Sequence, residues 1–156
     1  MIYSFLQNGD SAVTVQFKNE ISEEVNRRVT GLCNRIEAKH IDGIVELVPT
    51  FASLTVFYDC TIISSKKLKK KVEALINGKE CDAKSTAKVW NIPVCYDNEF
   101  ALDMKNVCSH TALEREEVIK LHTSKPYLIY MLGFLPGFAY LGGMDERLFT
   151  PRLKTP

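Results

Sequence analysis

Apolar residues recur along this chain with two periods, and the switches between them mark out its elements. From Ser11 to Phe17 they alternate, which places Val13, Val15 and Phe17 on one side of a strand. After Ser22 and the acidic pair Glu23 and Glu24 the period lengthens, and Val25, Val29, Leu32 and Ile36 form the stripe of a packed helix. Two β-rich runs follow, Ile44 to Val48 and Ala52 to Tyr58, parted by a turn at Pro49 and Thr50. A second helix is predicted from about Ser65 to Asn77, ended by Gly78. Thr86 to Trp90 reads as a further strand, and Ile2 to Leu6 as an extra one that either pairs at an edge or belongs elsewhere. The order β-α-β-β-α-β over residues 11 to 90 is that of a split βαβ, ferredoxin-like α+β layer of helices on a sheet.

The pattern changes near residue 91, where Pro93 and a polar, irregular stretch from Asp97 to Asn106 intervene, so the reading divides the chain into residues 1–91 and 92–156. In the second part Thr111 and Glu114 make a capping-box pattern before a helix to about Leu121. Tyr127 to Met131 reads as a strand. About two strands and a helix or two are too little to close a barrel.

Composition adds limits. With 156 residues, 46% apolar and 25% charged, the chain falls among soluble globular proteins. A net charge of +1 supplies no field to attract nucleic acid or an anionic membrane. The basic run Lys66, Lys67, Lys69, Lys70 and Lys71 shares its helix with Leu68, Val72, Leu75 and Ile76, and is most simply that helix's wet face. Five dispersed cysteines without a Cys-x-x-Cys pair indicate neither a disulfide framework nor a zinc site. Met1 to Gln7 lacks a basic leader, and no apolar run approaches the roughly 20 residues of a membrane span. A reduced cytoplasm is the expected compartment.

Candidate chemistry gathers in one stretch. Gly133 to Gly143 holds four of the eight glycines and the rings of Phe134, Phe138 and Tyr140. Gly133, Gly137, Gly142 and Gly143 free the backbone, while Pro136 fixes one turn, so such a loop can aim N–H groups at an oxyanion or carboxylate. Beyond it, Thr150 and Pro151 precede Arg152, whose planar guanidinium suits paired hydrogen bonds to a carboxylate or phosphate. The plain alternative is a tight turn whose aromatics plug a core, or a subunit interface. His122 joins the candidates because it closes the helix before the loop strand. Neither it nor His40 and His110 has metal-ligand spacing, and no phosphate loop, nucleophile elbow or His-Glu-x-x-His is present. Cys95 reads as a small buried residue, and Asp97, Glu99 and Asp103 as carboxylates facing water. Asp145 and Glu146 either orient Arg152 or form a solvated turn. No catalytic base is assigned.

Gly133 to Gly143 with Thr150-Pro151-Arg152 and Thr155-Pro156 resembles the signature of the family containing the B subunit of bacterial 5-oxoprolinase, allophanate hydrolase subunit 1 and the kinase inhibitor KipI. Gly9-Asp10-Ser11-Ala12, Val45 to Pro49 with Ser53 to Val56, Ile92 to Tyr96, and Glu116 to His122 resemble further family segments in order. Ala139 stands where the family usually has proline, and Ala101 where it has glycine. The resemblance implies a second domain of cyclophilin-like β-barrel type that continues past Pro156, so that residues 92–156 would be an incomplete, conditionally ordered barrel. It further implies ATP-dependent opening of 5-oxoproline to glutamate, with ATP and magnesium used by a complex with partners of the A and C types, on this chain or wholly on a partner. The allophanate-hydrolase activity belongs to the same enzyme class. A KipI-like inhibitor that binds a sensor histidine kinase is the alternative of a different class.

Overall fold

The computed structural model describes residues 3–77 and 88–153. The chain divides into two compact units, residues 1–85 with 130–140, and residues 86–129 with 141–156.

In the first unit β1 (Ser4–Asn8) and β2 (Ala12–Gln16) pair antiparallel around a short turn, with Ser4 opposite Gln16 and Asn8 opposite Ala12. Gly9 supplies the left-handed residue of that turn, at φ +64°. Helix α1 (Glu23–Lys39) follows, with Ser22 at its N-cap, and then β3 (Ile44–Pro49), β4 (Ser53–Tyr58) and α2 (Ser65–Ile76). The sheet runs β1-β2-β4-β3, and every neighbouring pair is antiparallel.

The predicted stripes form the core. Val13 and Val15 of β2 lie opposite Val56 and Leu54 of β4, and Val25, Val29, Leu32 and Ile36 of α1 and Leu68, Val72 and Ile76 of α2 pack with them. The core makes the register unforgiving, because a one-residue slip would turn these valines outward. A bulge between Ile44 and Glu46 leaves Val45 exposed and keeps Leu47 opposite Val56. Helix α2 starts where the Ser64 hydroxyl accepts the Lys67 N–H, and Lys66, Lys67, Lys70 and Lys71 stay on the exposed side. Gly78, expected to end α2, lies outside the described residues.

One strand differs from expectation. The closing place of the split βαβ, beside β2, is taken by β1 and not by Thr86 to Trp90. All five residues of β2 are already paired with β1 on that side, so no ladder position remains there for a later strand. Residues 88–90 form no regular element, and Thr86, Ala87 and Ile2 lie outside the described residues.

The second unit contains α3 (Met104–Thr111), α4 (Arg115–His122) and a single 3-10 turn, Glu146–Leu148. Val118, Leu121 and Leu148 are buried together, with Met104, Val107, Cys108 and Leu113 half-buried against them. Thr111 does not cap α4. It ends α3, donating its hydroxyl to the Val107 carbonyl at 2.8 Å, and Glu114 occupies the N-cap of α4 with no side-chain cap bond. The polar surface of 97–106 hid the start of α3, whose inward positions are only Met104, Val107 and Cys108.

A separate two-stranded hairpin joins β5 (Leu128–Leu132) and β6 (Ala139–Gly142). Both sheets are open, and no barrel closes among the described residues. No helix among them is long and apolar enough to cross a membrane.

Candidate functional site

The glycine-rich stretch is the tip of the β5–β6 hairpin. Its turn is Leu135-Pro136-Gly137-Phe138, closed by a hydrogen bond from the Phe138 N–H to the Leu135 carbonyl at 3.0 Å. Proline at the second position and a left-handed glycine at the third, Gly137 at φ +76°, are what a type II turn requires. The Gly133 N–H donates to the Phe138 carbonyl at 3.1 Å, and the Leu135 N–H to the Gly133 carbonyl at 2.8 Å. Three loop N–H groups are therefore spent on the loop's own carbonyls. This tip is a self-bonded turn.

Its outer surface is aromatic. Phe134 and Phe138 meet edge to face at 6.1 Å between ring centroids, and Phe138 and Tyr140 at 5.3 Å. Phe134 is 85% exposed and sits at φ +66°, a conformation that L-residues with a bulky side chain rarely hold. The rings do not plug a core. Gly133 lies in close quarters, since a Cβ there would come within 3.3 Å of Met131 Cε and 3.7 Å of Tyr140 Cε2.

His122 belongs to another constellation, in the second unit. It ends α4, and its Nδ1 is hydrogen-bonded to the Tyr96 hydroxyl, while its carbonyl accepts the Tyr127 hydroxyl at 2.8 Å. Arg115 holds the backbone beneath Tyr96, donating to the Tyr96 carbonyl and to Asn98 Oδ1. Burial pushes the Tyr96 and Tyr127 phenols above the ordinary tyrosine value. A cleft of about 500 Å³ opens beside this group, lined by Tyr96, Phe100, Met104, Val107, His122 and Leu148.

Arg152 is exposed and makes no hydrogen bond or ion pair among the described residues. Asp145 does not orient it. Its carboxylate takes the Arg147 backbone N–H, Nε and Nη2, each at 3.0 Å, and Arg147 also approaches Glu117 at 4.0 Å. These bonds hold the Asp145 carboxyl down at about 2. An acceptor two residues from a guanidinium captures it locally, which the signal Asp-x-Arg could have revealed. Gly142 is half-buried within β6, and Gly143, at φ +94°, turns the chain out of the hairpin.

Cys95 is exposed, contrary to the buried expectation, because the segment around it forms no regular element to pack. Asp97, Glu99 and Asp103 are exposed as expected. Among the described residues no three His, Cys, Asp or Glu side chains are arranged to hold a metal.

Sequence reasoning missed Asn26. It is 6% exposed on α1, and its Nδ2 donates to the Tyr130 carbonyl in β5 at 3.0 Å and to the Thr50 carbonyl at 3.5 Å.

Residues 3–156 match the family described as carboxyltransferase domain, subdomain C and D. The chain belongs to that family. A relative of this carboxyltransferase-domain family, the B subunit of 5-oxoprolinase from Bacillus subtilis (strain 168), is 40% identical over 99% of this chain and 68% of its own length. The corresponding B subunit of Haemophilus influenzae 5-oxoprolinase is 31% identical over 94% of this chain and 67% of its own. Among solved structures, TTHA0988 superposes with a TM-score of 0.74 at 33% identity, over 90% of this chain and 27% of that one. The Kluyveromyces lactis urea carboxylase shares the fold, with a TM-score of 0.62 at 18% identity over 84% of this chain and 14% of its own. The chain is thus a component of a 5-oxoprolinase or carboxyltransferase type of system.

Proposed function

We propose that this chain is one subunit of an ATP-dependent cyclic-amide hydrolase that opens 5-oxoproline to glutamate, and that it turns over only with partners of the A and C types. The observation that carries the reading is the 40% identity to the B subunit of a 5-oxoprolinase, across 99% of the chain. A lactam carbonyl resists water, and ATP, with magnesium, supplies the phosphoryl group that activates it. The turn's internal bonding favours placing the ATP site on a partner, because the Gly133, Leu135 and Phe138 N–H groups already have acceptors.

In this reading the hairpin tip walls the substrate from water with Phe134, Phe138 and Tyr140, and the Tyr140 hydroxyl donates a hydrogen bond. Arg152, exposed in the second unit and without a partner among the described residues, is by itself a candidate for binding an anionic group. His122 orders the second unit through Tyr96 and Tyr127. Reconstitution of the full assembly tests the proposal by ATP-dependent release of glutamate from 5-oxoproline, with allophanate as the competing substrate. No turnover of either by the complete assembly would reject it.

A second reading, a KipI-like inhibitor of a sensor histidine kinase, draws on the exposure of Phe134, a ring suited to anchoring in a partner's pocket. Kinase capture without hydrolysis would favour it.

A further inference from the structure

Asn26 is out of place by composition. It lies on the face of α1 that carries Val25, Val29, Leu32, Cys33 and Ile36, all buried. A buried amide is unfavourable unless it is bonded. Asn26 spends its Nδ2 on two backbone carbonyls, Tyr130 at 3.0 Å and Thr50 at 3.5 Å. Thr50 opens the turn between β3 and β4, where its own N–H bonds the Ser53 carbonyl at 2.8 Å. Tyr130 is the middle residue of β5, three positions before Gly133.

A two-stranded hairpin is at best marginally stable alone, so its base needs an external hold. Residues 130–140 belong to the same compact unit as the four-stranded sheet. Among the described side-chain hydrogen bonds, Asn26 to Tyr130 is the one that joins α1 to this hairpin.

We infer that Asn26 is a positioning residue for the Gly133–Gly143 hairpin, fixing the base of β5 so that the self-bonded turn presents Phe134, Phe138 and Tyr140 in one arrangement. The functional half of this inference rests on the reading of the hairpin as part of the hydrolase site.

Hydrogen exchange on the full chain tests the anchoring. Asn26→Asp keeps the side chain's size and, ionised, cannot donate to Tyr130. The protection of the Gly133, Leu135 and Phe138 amides should fall roughly three- to tenfold, the range of one net hydrogen bond, while that of Val13, Leu32 and Leu54 holds. Protection should return on acidification, once a protonated carboxyl donates again, after correction for intrinsic exchange rates. Loss spread equally over α1 and the sheet, or none in the loop, would overturn the inference. If Asn26→Asp does not fold, Asn26→Leu is read by the same loop-against-core comparison.

In the reconstituted assembly the variant should raise KM for 5-oxoproline several-fold with kcat nearly unchanged. An unchanged KM alongside lost loop protection would overturn the functional half and leave the anchor. An inactive wild-type assembly would count against the hydrolase reading and not against the anchor.

Discussion

The Tyr96 hydroxyl is hydrogen-bonded to Nδ1 of His122, twenty-six residues further along the chain, and the two rings meet edge to face at 5.9 Å between centroids. This bond ties an irregular segment to the last residue of α4. Tyr96→Phe keeps the ring and removes the hydroxyl, and should cost about 1 kcal/mol of stability, with faster exchange at the Thr123 and Ser124 amides that close the helix. A larger loss on His122→Ala than on Tyr96→Phe is expected, because the imidazole also stacks near Tyr127 at 5.7 Å. Urea unfolding of the two variants checks the order.

Alkaline pH should weaken the fold through Tyr96 and Tyr127. Both phenols are raised above the ordinary value of 10.0 by burial, so the folded protein holds their protons more tightly than the unfolded chain. Their contribution is complete below 10.0 and is lost as pH rises through the folded values. Unfolding followed against pH should show this loss, and Tyr96→Phe should reduce it.

Asp145 works in the opposite sense. Its hydrogen bonds from Arg147 hold it at about 2 against an ordinary 3.8, so its contribution is present above 3.8 and disappears as pH falls toward 2. Asp145→Asn keeps the backbone carbonyl that accepts the Leu148 N–H but weakens the side-chain hold on Arg147, so the loosened turn should let the Arg147 and Leu148 amides exchange faster at neutral pH. The difference from the wild type should close on acidification.

Gly137→Ala isolates the conformational cost of the hairpin turn. A Cβ at Gly137 would meet nothing within 4 Å, yet the residue sits at φ +76°. The expected cost is about 1–2 kcal/mol, expressed as loss of order at the tip and not in the core. Gly43→Ala should cost more, because there φ is +88° and the new atom would also lie 2.8 Å from Ile63 Cγ2. Comparing the two by thermal unfolding separates strain from clash.

Arg152→Ala should lower turnover of the reconstituted assembly about hundredfold, the scale of removing one positioned donor to developing or resident charge, and leave the assembly intact. Size-exclusion chromatography alongside the glutamate assay distinguishes this from loss of a contact between subunits.

The α1 stripe was legible because Val25, Val29, Leu32 and Ile36 follow one helical period, and the β2 and β4 valines because they alternate. Pro136 and Gly137 likewise announced their turn. What escaped the sequence is what depends on distant pairing or on competition between neighbours. Nothing near Asn26 points to a carbonyl 104 residues away. Residues 88–90, read as part of a strand, form no regular element, and β1 fills the edge beside β2. Asp145 was a plausible mate for Arg152 until the nearer Arg147 took it, and Thr111 looked like a cap until the helix before it claimed the residue.

That early filling of the sheet edge bears on the order of synthesis. With β1 beside β2, all four strands and both helices of the layer lie between Ser4 and Ile76, so among the described residues no pairing in it waits for a segment made later. A nascent chain can complete this layer as soon as Ile76 has left the ribosome, and every strand pair in it is antiparallel. The hairpin that follows is then received by a surface already formed, with the Asn26 amide waiting in place for Tyr130.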